Sequence, residues 1–108
     1  TLPAHANLCV SSALEQAVAD SCIARAVKHL DGPSKLFDEF RARAQLYKHY
    51  YDPKQRLFAP QVSSSARSRA TKPMQIAEMA QSGCFEEGTP LQYAFMVPHD
   101  VNGLLSLL

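Results

Sequence analysis

Two adjacent carboxylates, Glu86 and Glu87, stand directly before a glycine in the stretch CFEEGTPLQYAFMVPHD, residues 84–100. A carboxylic acid whose pKa is raised by burial or by a second carboxylate delivers a proton near neutral pH, so these residue types suit acid–base chemistry. Gly88 lets the backbone bend tightly behind them. Neighbouring side chains point apart, so one glutamate would face a pocket and the other would not. The same spacing admits a plainer reading, in which both only place favourable charge at a helix N-terminus. His99 and Asp100 form a weaker pair, because adjacency does not make a dyad and Asp100 is well placed to cap the segment VNGLLSLL. Cys9, Cys22 and Cys84 make no C-x-x-C pair and no zinc spacing with the four histidines. They are expected as small buried apolar side chains, with at least one thiol free or paired with another chain. G-x-S-x-G, P-loop and Rossmann glycine patterns are absent.

The elements that must hold these residues follow from capping and periodicity. Thr89 is a good N-cap and Pro90 suits the first helical position, so a helix should start there. It would carry Leu91, Tyr93, Phe95, Met96 and Val97 until Pro98 breaks it. Upstream, a helix is expected over residues 12–30, opened by the capping-box pair Ser12 and Glu15. Leu14, Val18, Cys22, Ala26 and Leu30, with Ile23 and Val27, make its apolar stripe. LDGP at 30–33 stops it, with Gly32 in the left-handed position. A second helix is expected over residues 34–51, capped by Ser34, with Leu36, Phe37, Phe40, Ala44, Tyr47 and Tyr51 on its buried side. Pro53 ends it, and the short link between the two helices predicts an antiparallel hairpin. LFAPQ reads as a brief strand or irregular arm, residues 62–73 as a flexible serine-rich loop, and residues 74–83 as a short helix ending at Gly83. The fold class is therefore all-α, built from antiparallel helical hairpins.

With 108 residues, of which 46% are hydrophobic and 19% charged, the chain is one small globular unit. A formal net charge of +1 gives no electrostatic reason for nucleic acid or an anionic membrane as partner. No apolar run approaches the roughly 18 residues that span a bilayer. TLPAHANLCVSS lacks the charged-then-apolar layout of a secretory signal. VNGLLSLL is apolar to its last residue, which predicts a piece of a larger domain whose helix pair and last helix would expose apolar faces when alone.

Three motifs, in order, resemble glycoside hydrolase family 92, the exo-acting α-mannosidases. CVSSALEQAVADSCIARAVKHL resembles the family's VS-x-TLEYAYDDW helix, RARAQLYKHYYDPKQRLFAPQ its YKN-x-(F/Y)DP passage, and FEEGTPLQYAFMVPHDVNGLLSLL its EGN-x-x-QY and VPHD-x-x-GL passage. The likeness runs over residues 8–108 apart from the serine-rich middle. It implies part of an (α/α)6 toroid, accompanied in the family by a β-sandwich. The implied reaction is calcium-assisted hydrolysis of terminal mannose from a glycan, with inversion at the anomeric carbon. The glutamate of the family's EGN motif is the general acid, which falls on Glu87; Glu86 carries no transferred role, and Gln92 and Tyr93 match the family's QY beside the pocket. The family's aspartate base and NEP segment belong to a later part of the domain, so the resemblance leaves the base outside this chain and identifies no calcium ligand within it. Secretion or export to the periplasm is a family expectation only. Thr89 replaces the family's asparagine, Leu91 an aromatic, and QAVADS the acidic YAYDDW, which bears on substrate contacts more than on fold. The alternatives are a non-catalytic helical packing or interaction module, as a degenerate or truncated relative, and an unrelated helical domain whose glutamates only cap.

Overall fold

The computed structural model describes residues 9–60 and 75–108. Five α-helices are seen among them: α1 (Val10–His29), α2 (Ser34–Arg43), α3 (Ile76–Gln81), α4 (Pro90–Tyr93) and α5 (Val101–Leu107). A 3-10 helix, η1 (Leu46–Tyr50), and two short strands, β1 (Tyr51–Asp52) and β2 (Leu57–Phe58), lie between α2 and α3. The chain is mostly helical, in keeping with the all-α expectation, with one small β-hairpin added. The serine-rich stretch 62–73, expected to be a loop, lies outside the described residues.

The helical hairpin forms as expected, but its turn differs. Lys28 sits over the Phe37 ring at 5.7 Å, and Asp20 meets Arg43 Nε at 3.3 Å, so rising numbers on α1 pair with falling numbers on α2. Asp31, not Gly32, takes the left-handed conformation, at φ 50°. The Asp31 N–H bonds the Lys28 carbonyl at 3.2 Å and the Gly32 N–H bonds the Val27 carbonyl at 2.8 Å, the paired bonds of a Schellman end. Gly32 is required for space instead, since a Cβ there would come within 2.9 Å of Val27 Cγ1. Aspartate tolerates the left-handed region better than most residues because its short side chain bonds locally.

Four other expectations are corrected. Cys9, not Ser12, is the N-cap of α1, so Ser12 and Glu15 form no capping box. Pro33 precedes α2 in place of a Ser34 cap, and α2 ends at Arg43. The chain then tightens into η1, where a three-residue turn puts Tyr47 and Tyr50 on one buried side. The buried face of α1 is Val10, Ala13, Leu14, Ala17, Asp20 and Ala24, while Cys22, Ile23, Ala26 and Leu30 are exposed. A row of residues four apart drifts about 40° per step around a helix of 3.6 residues per turn. Such a row therefore starts in the core at Leu14 and finishes in solvent at Leu30.

The core joins the start of α1 to η1, β2, α3, the 85–97 segment and α5. Val10, Ala13, Leu14 and Ala17 pack with Tyr47, Tyr50, Leu57, Phe58, Met79, Phe85, Ala94, Val97 and Leu104. Strands β1 and β2 pair antiparallel, Tyr51 opposite Phe58 and Asp52 opposite Leu57. The Asp52 carboxylate holds their turn by accepting from the Lys54 N–H at 2.9 Å and from Gln55 Nε2 at 3.1 Å. Helix α3 ends at Gln81 with Ser82 as its C-cap, and Gly83 follows at φ 75°, as its position after the apolar run predicted. Val101, Leu105 and Leu108 around α5, and Ile23 and Leu30 on α1, are exposed apolar side chains. On α2, Leu36 is exposed and Phe37 and Phe40 are only half-buried, so the buried side expected of this helix does not form there, and burial begins at Ala44, Tyr47 and Tyr50.

VPHD is a structural knot. Asp100 caps α5 by accepting from the Gly103 N–H at 3.0 Å, and its other oxygen accepts from the Tyr47 hydroxyl at 2.8 Å. Lys48 adds charge at 3.8 Å. His99 Nε2 lies 2.9 Å from the Ala44 carbonyl, with its ring edge-on to Tyr47. Burial pushes the Asp100 carboxyl up, but the bonds from Tyr47, Gln45 and Gly103 and the charge of Lys48 outweigh it and hold the pKa below the usual carboxylate value. The two residues thus fix α5 to η1. Among the described residues, no helix is long and apolar enough to cross a membrane.

Candidate active site

The two glutamates are separated by the way the loop before α4 is tied down. Phe85 is buried and its ring meets Tyr93 at 5.9 Å, anchoring one side. The Glu86 peptide is held from two directions: its N–H donates to Ser11 Oγ at 3.3 Å, and its carbonyl accepts from the Tyr93 hydroxyl at 2.6 Å. Ser11 is itself buried on the first turn of α1, and the Ser11 N–H donates to the Cys84 carbonyl at 3.1 Å. With residue 86 fixed, the chain turns sharply at Glu87, whose backbone is left-handed at φ 52°. A non-glycine residue in that region is uncommon, and such conformations cluster where a side chain must be aimed.

Helix α4 supplies the other half of the support. Thr89 caps it in a full capping box: the Gln92 N–H donates to Thr89 Oγ1 at 3.3 Å, and the Thr89 N–H donates to Gln92 Oε1 at 2.8 Å. Pro90 is at the first helical position and buried, as the sequence predicted. The helix is shorter than expected. It ends at Tyr93, four residues before Val97, so Phe95 falls beyond it and is 73% exposed. Gly88 is dictated by crowding, because a Cβ there would stand 2.8 Å from Tyr93 Cε2 and 3.3 Å from Gln92 Oε1.

An open cleft of about 270 Å³ results, lined by Glu15, Glu87, Gly88, Gln92, Tyr93 and Met96. Glu87, Gln92 and Tyr93, the residues singled out from the sequence, therefore all line it, and Glu86 is not part of the lining. Glu86 and Glu87 are both solvent-exposed. The Tyr93 hydroxyl and the Gln92 amide oxygen are both engaged in holding the loop, which makes them positioning groups for Glu87 in this arrangement. Sequence reasoning missed Ser11, Glu15 and Met96. Glu15 was assigned to a capping box that does not form, and its release brings a second carboxylate to the cleft. A larger surface concavity near the end of α1, lined by Arg25, Ala26, Lys28 and His29, contains no carboxylate.

In chemical terms the cleft offers two carboxylates, an amide, an aromatic ring and a thioether, on a scale that admits a single sugar ring. That set suits recognition of a polyhydroxylated ligand, with a carboxyl group available for proton transfer. Among the described residues no group of three or more His, Cys, Asp or Glu converges as a metal cage would require.

Neither the comparison with curated proteins nor that with solved structures returned a match. A family comparison did: residues 2–108 match the glycosyl hydrolase family 92 catalytic domain. The match takes in all the residues that build the cleft, and this chain belongs to glycosyl hydrolase family 92.

Proposed function

We propose that this chain carries the proton-donating part of an inverting α-mannosidase, with Glu87 as the general acid that assists departure of a terminal mannose from a glycan. The observation that carries the reading is the sorting of the glutamate pair: the one in the family's acid position lines the cleft, with Gln92 and Tyr93 beside it, and the other does not. An inverting glycosidase needs a protonated carboxyl near the leaving oxygen and a carboxylate that activates water, about 6.5 to 9.5 Å away across the sugar. Glu87 takes the first role. The base comes from outside these residues, in a complete (α/α)6 toroid of which the helical hairpin of α1 and α2 is one unit. Glu15 also lines the cleft, where a carboxylate is suited to hold sugar hydroxyls.

Calcium is part of this proposal only through the family. The ion takes six to eight oxygen ligands, and the described residues do not fit it on their own.

The test is the full-length protein with a methyl α-mannoside or a mannobiose. Proton NMR of the first turnovers should show β-mannose released ahead of mutarotation. Release of α-mannose would overturn inversion. No turnover in the presence of calcium would leave the alternative, a helical packing module that has kept the family's shape.

A further inference from the structure

Cys9 and Cys84 are 75 positions apart in sequence, yet Cys84 Sγ lies 2.9 Å from Cys9 Sγ. Both are free thiols, and both are half-buried, so the pair is neither sealed in the core nor loose on the surface. The expectation of three small buried side chains is corrected for each: Cys22 is exposed, and the other two face each other. The backbone around the pair is already registered, since the Ser11 N–H bonds the Cys84 carbonyl at 3.1 Å and Ser11 Oγ accepts from the Glu86 N–H at 3.3 Å. A disulfide requires an S–S bond of about 2.05 Å, so the sulfurs have less than about 1 Å to travel.

From this geometry we infer that Cys9 and Cys84 are a site of reversible disulfide formation, and that the bond clamps the Glu86–Glu87 loop to the first turn of α1. The oxidant is a low-molecular-weight disulfide such as oxidised glutathione. One cysteine thiolate attacks it, forming a mixed disulfide and expelling one thiolate. The second cysteine then attacks the protein-side sulfur and expels the other. The protein loses two electrons and two protons, and two small thiols are formed. Hydrogen bonding with Cys84, then burial, then the charges of Cys84 and Glu86 push the Cys9 thiol up. That slows exchange initiated from Cys9 at neutral pH. The consequence for the site follows from position. Cys84 is three residues before Glu87, and Cys9 is the N-cap of the helix that brings Glu15, so the cross-link joins the two carboxylate-bearing segments of the cleft at their base.

The experiment uses the full-length protein in glutathione buffers from fully reduced to fully oxidised, followed by maleimide alkylation and peptide mapping. Under reducing conditions all three cysteines of this chain should alkylate. Under oxidising conditions Cys9 and Cys84 should be lost to alkylation together and appear in one cross-linked peptide, while the exposed Cys22 should be found only as the free thiol or its glutathione adduct. Amide exchange at residues 86–88 should slow in the oxidised form, return with dithiothreitol, and be unaffected by redox state in Cys9→Ser and in Cys84→Ser. Continued alkylation of both residues across the whole series, or a cross-link that uses Cys22 instead, would overturn the inference. A Cys9–Cys84 bond without slower exchange at 86–88 would overturn the clamp.

Discussion

Replacing Tyr47 with phenylalanine isolates one bond of the knot that holds α5. Tyr47 is fully buried, and its ring contacts Phe58 at 6.1 Å and His99 at 5.4 Å, both edge-on. Phenylalanine keeps those contacts and opens no cavity, so the change removes only the hydroxyl that donates to Asp100 at 2.8 Å. A hydrogen bond to a charged group is worth about 1.5–3 kcal/mol net. Asp100 keeps the Gly103 N–H and Lys48, which places the loss at the lower end, about 1.5–2 kcal/mol. At about 1.4 kcal/mol per tenfold, amides of α5 should exchange roughly 12 to 27 times faster in the full-length Tyr47→Phe protein. The pH dependence has a defined sign. Asp100 has a lowered pKa in the fold, so its contribution is present above the ordinary carboxylate value of 3.8 and is lost as pH falls through the folded value. The wild type and Tyr47→Phe should therefore converge in acid. Burial first, then the bond to Asp100 and its charge, raise the Tyr47 pKa, so the hydroxyl's contribution is complete below the unfolded value of 10.0 and is lost as pH rises beyond it. A change in α5 exchange of less than threefold at neutral pH would refute the knot as an energetic unit.

Two further perturbations address the cleft and the helical hairpin. Gly88→Ala drives a Cβ toward the Tyr93 ring and should cost about 1–3 kcal/mol by overpacking. Because it displaces the Glu87 loop, kcat of the full-length protein should fall while far-UV circular dichroism stays unchanged. Arg43→Ala removes one charge partner of the buried Asp20 carboxylate, which keeps the bond from Gln16 Nε2 at 3.1 Å, so the loss should be about 1–3 kcal/mol, below that of a fully buried pair. Hydrogen exchange across α1 and α2 should rise accordingly, and Arg43→Lys should restore little, since a point charge does not reproduce the planar guanidinium.

Helix positions were legible in the sequence where a local device decides them. Thr89, Pro90 and Gly83 acted as their types predict, because caps and chain stops depend on a few neighbouring atoms. Which face of α1 is buried was not legible, because leucine and valine on two faces compete and the winner is set by η1, β2 and the 85–97 segment packing from far along the chain. The shortening of α2 into η1 has the same origin: Tyr47 and Tyr50 gain burial and the Asp100 bond only if the chain tightens there. Two glutamates side by side could not be told apart by spacing. The structure separates them through Ser11 and Tyr93, partners 75 and 7 positions from Glu86, which only the folded chain brings together. Likewise the Cys9–Cys84 contact leaves no trace in cysteine spacing.

The role of Glu87 is tested most directly by leaving-group dependence in the full-length Glu87→Gln protein, beside Glu86→Gln. A missing general acid costs about 10² to 10⁴ in rate when the departing oxygen needs a proton. Glu87→Gln should lose that much kcat on a mannobiose and much less on a dinitrophenyl mannoside, whose phenolate leaves unaided, with Glu86→Gln near wild type on both. Wild-type turnover of the mannobiose by Glu87→Gln, or equal losses on both substrates, would contradict the assignment of Glu87 as the proton donor.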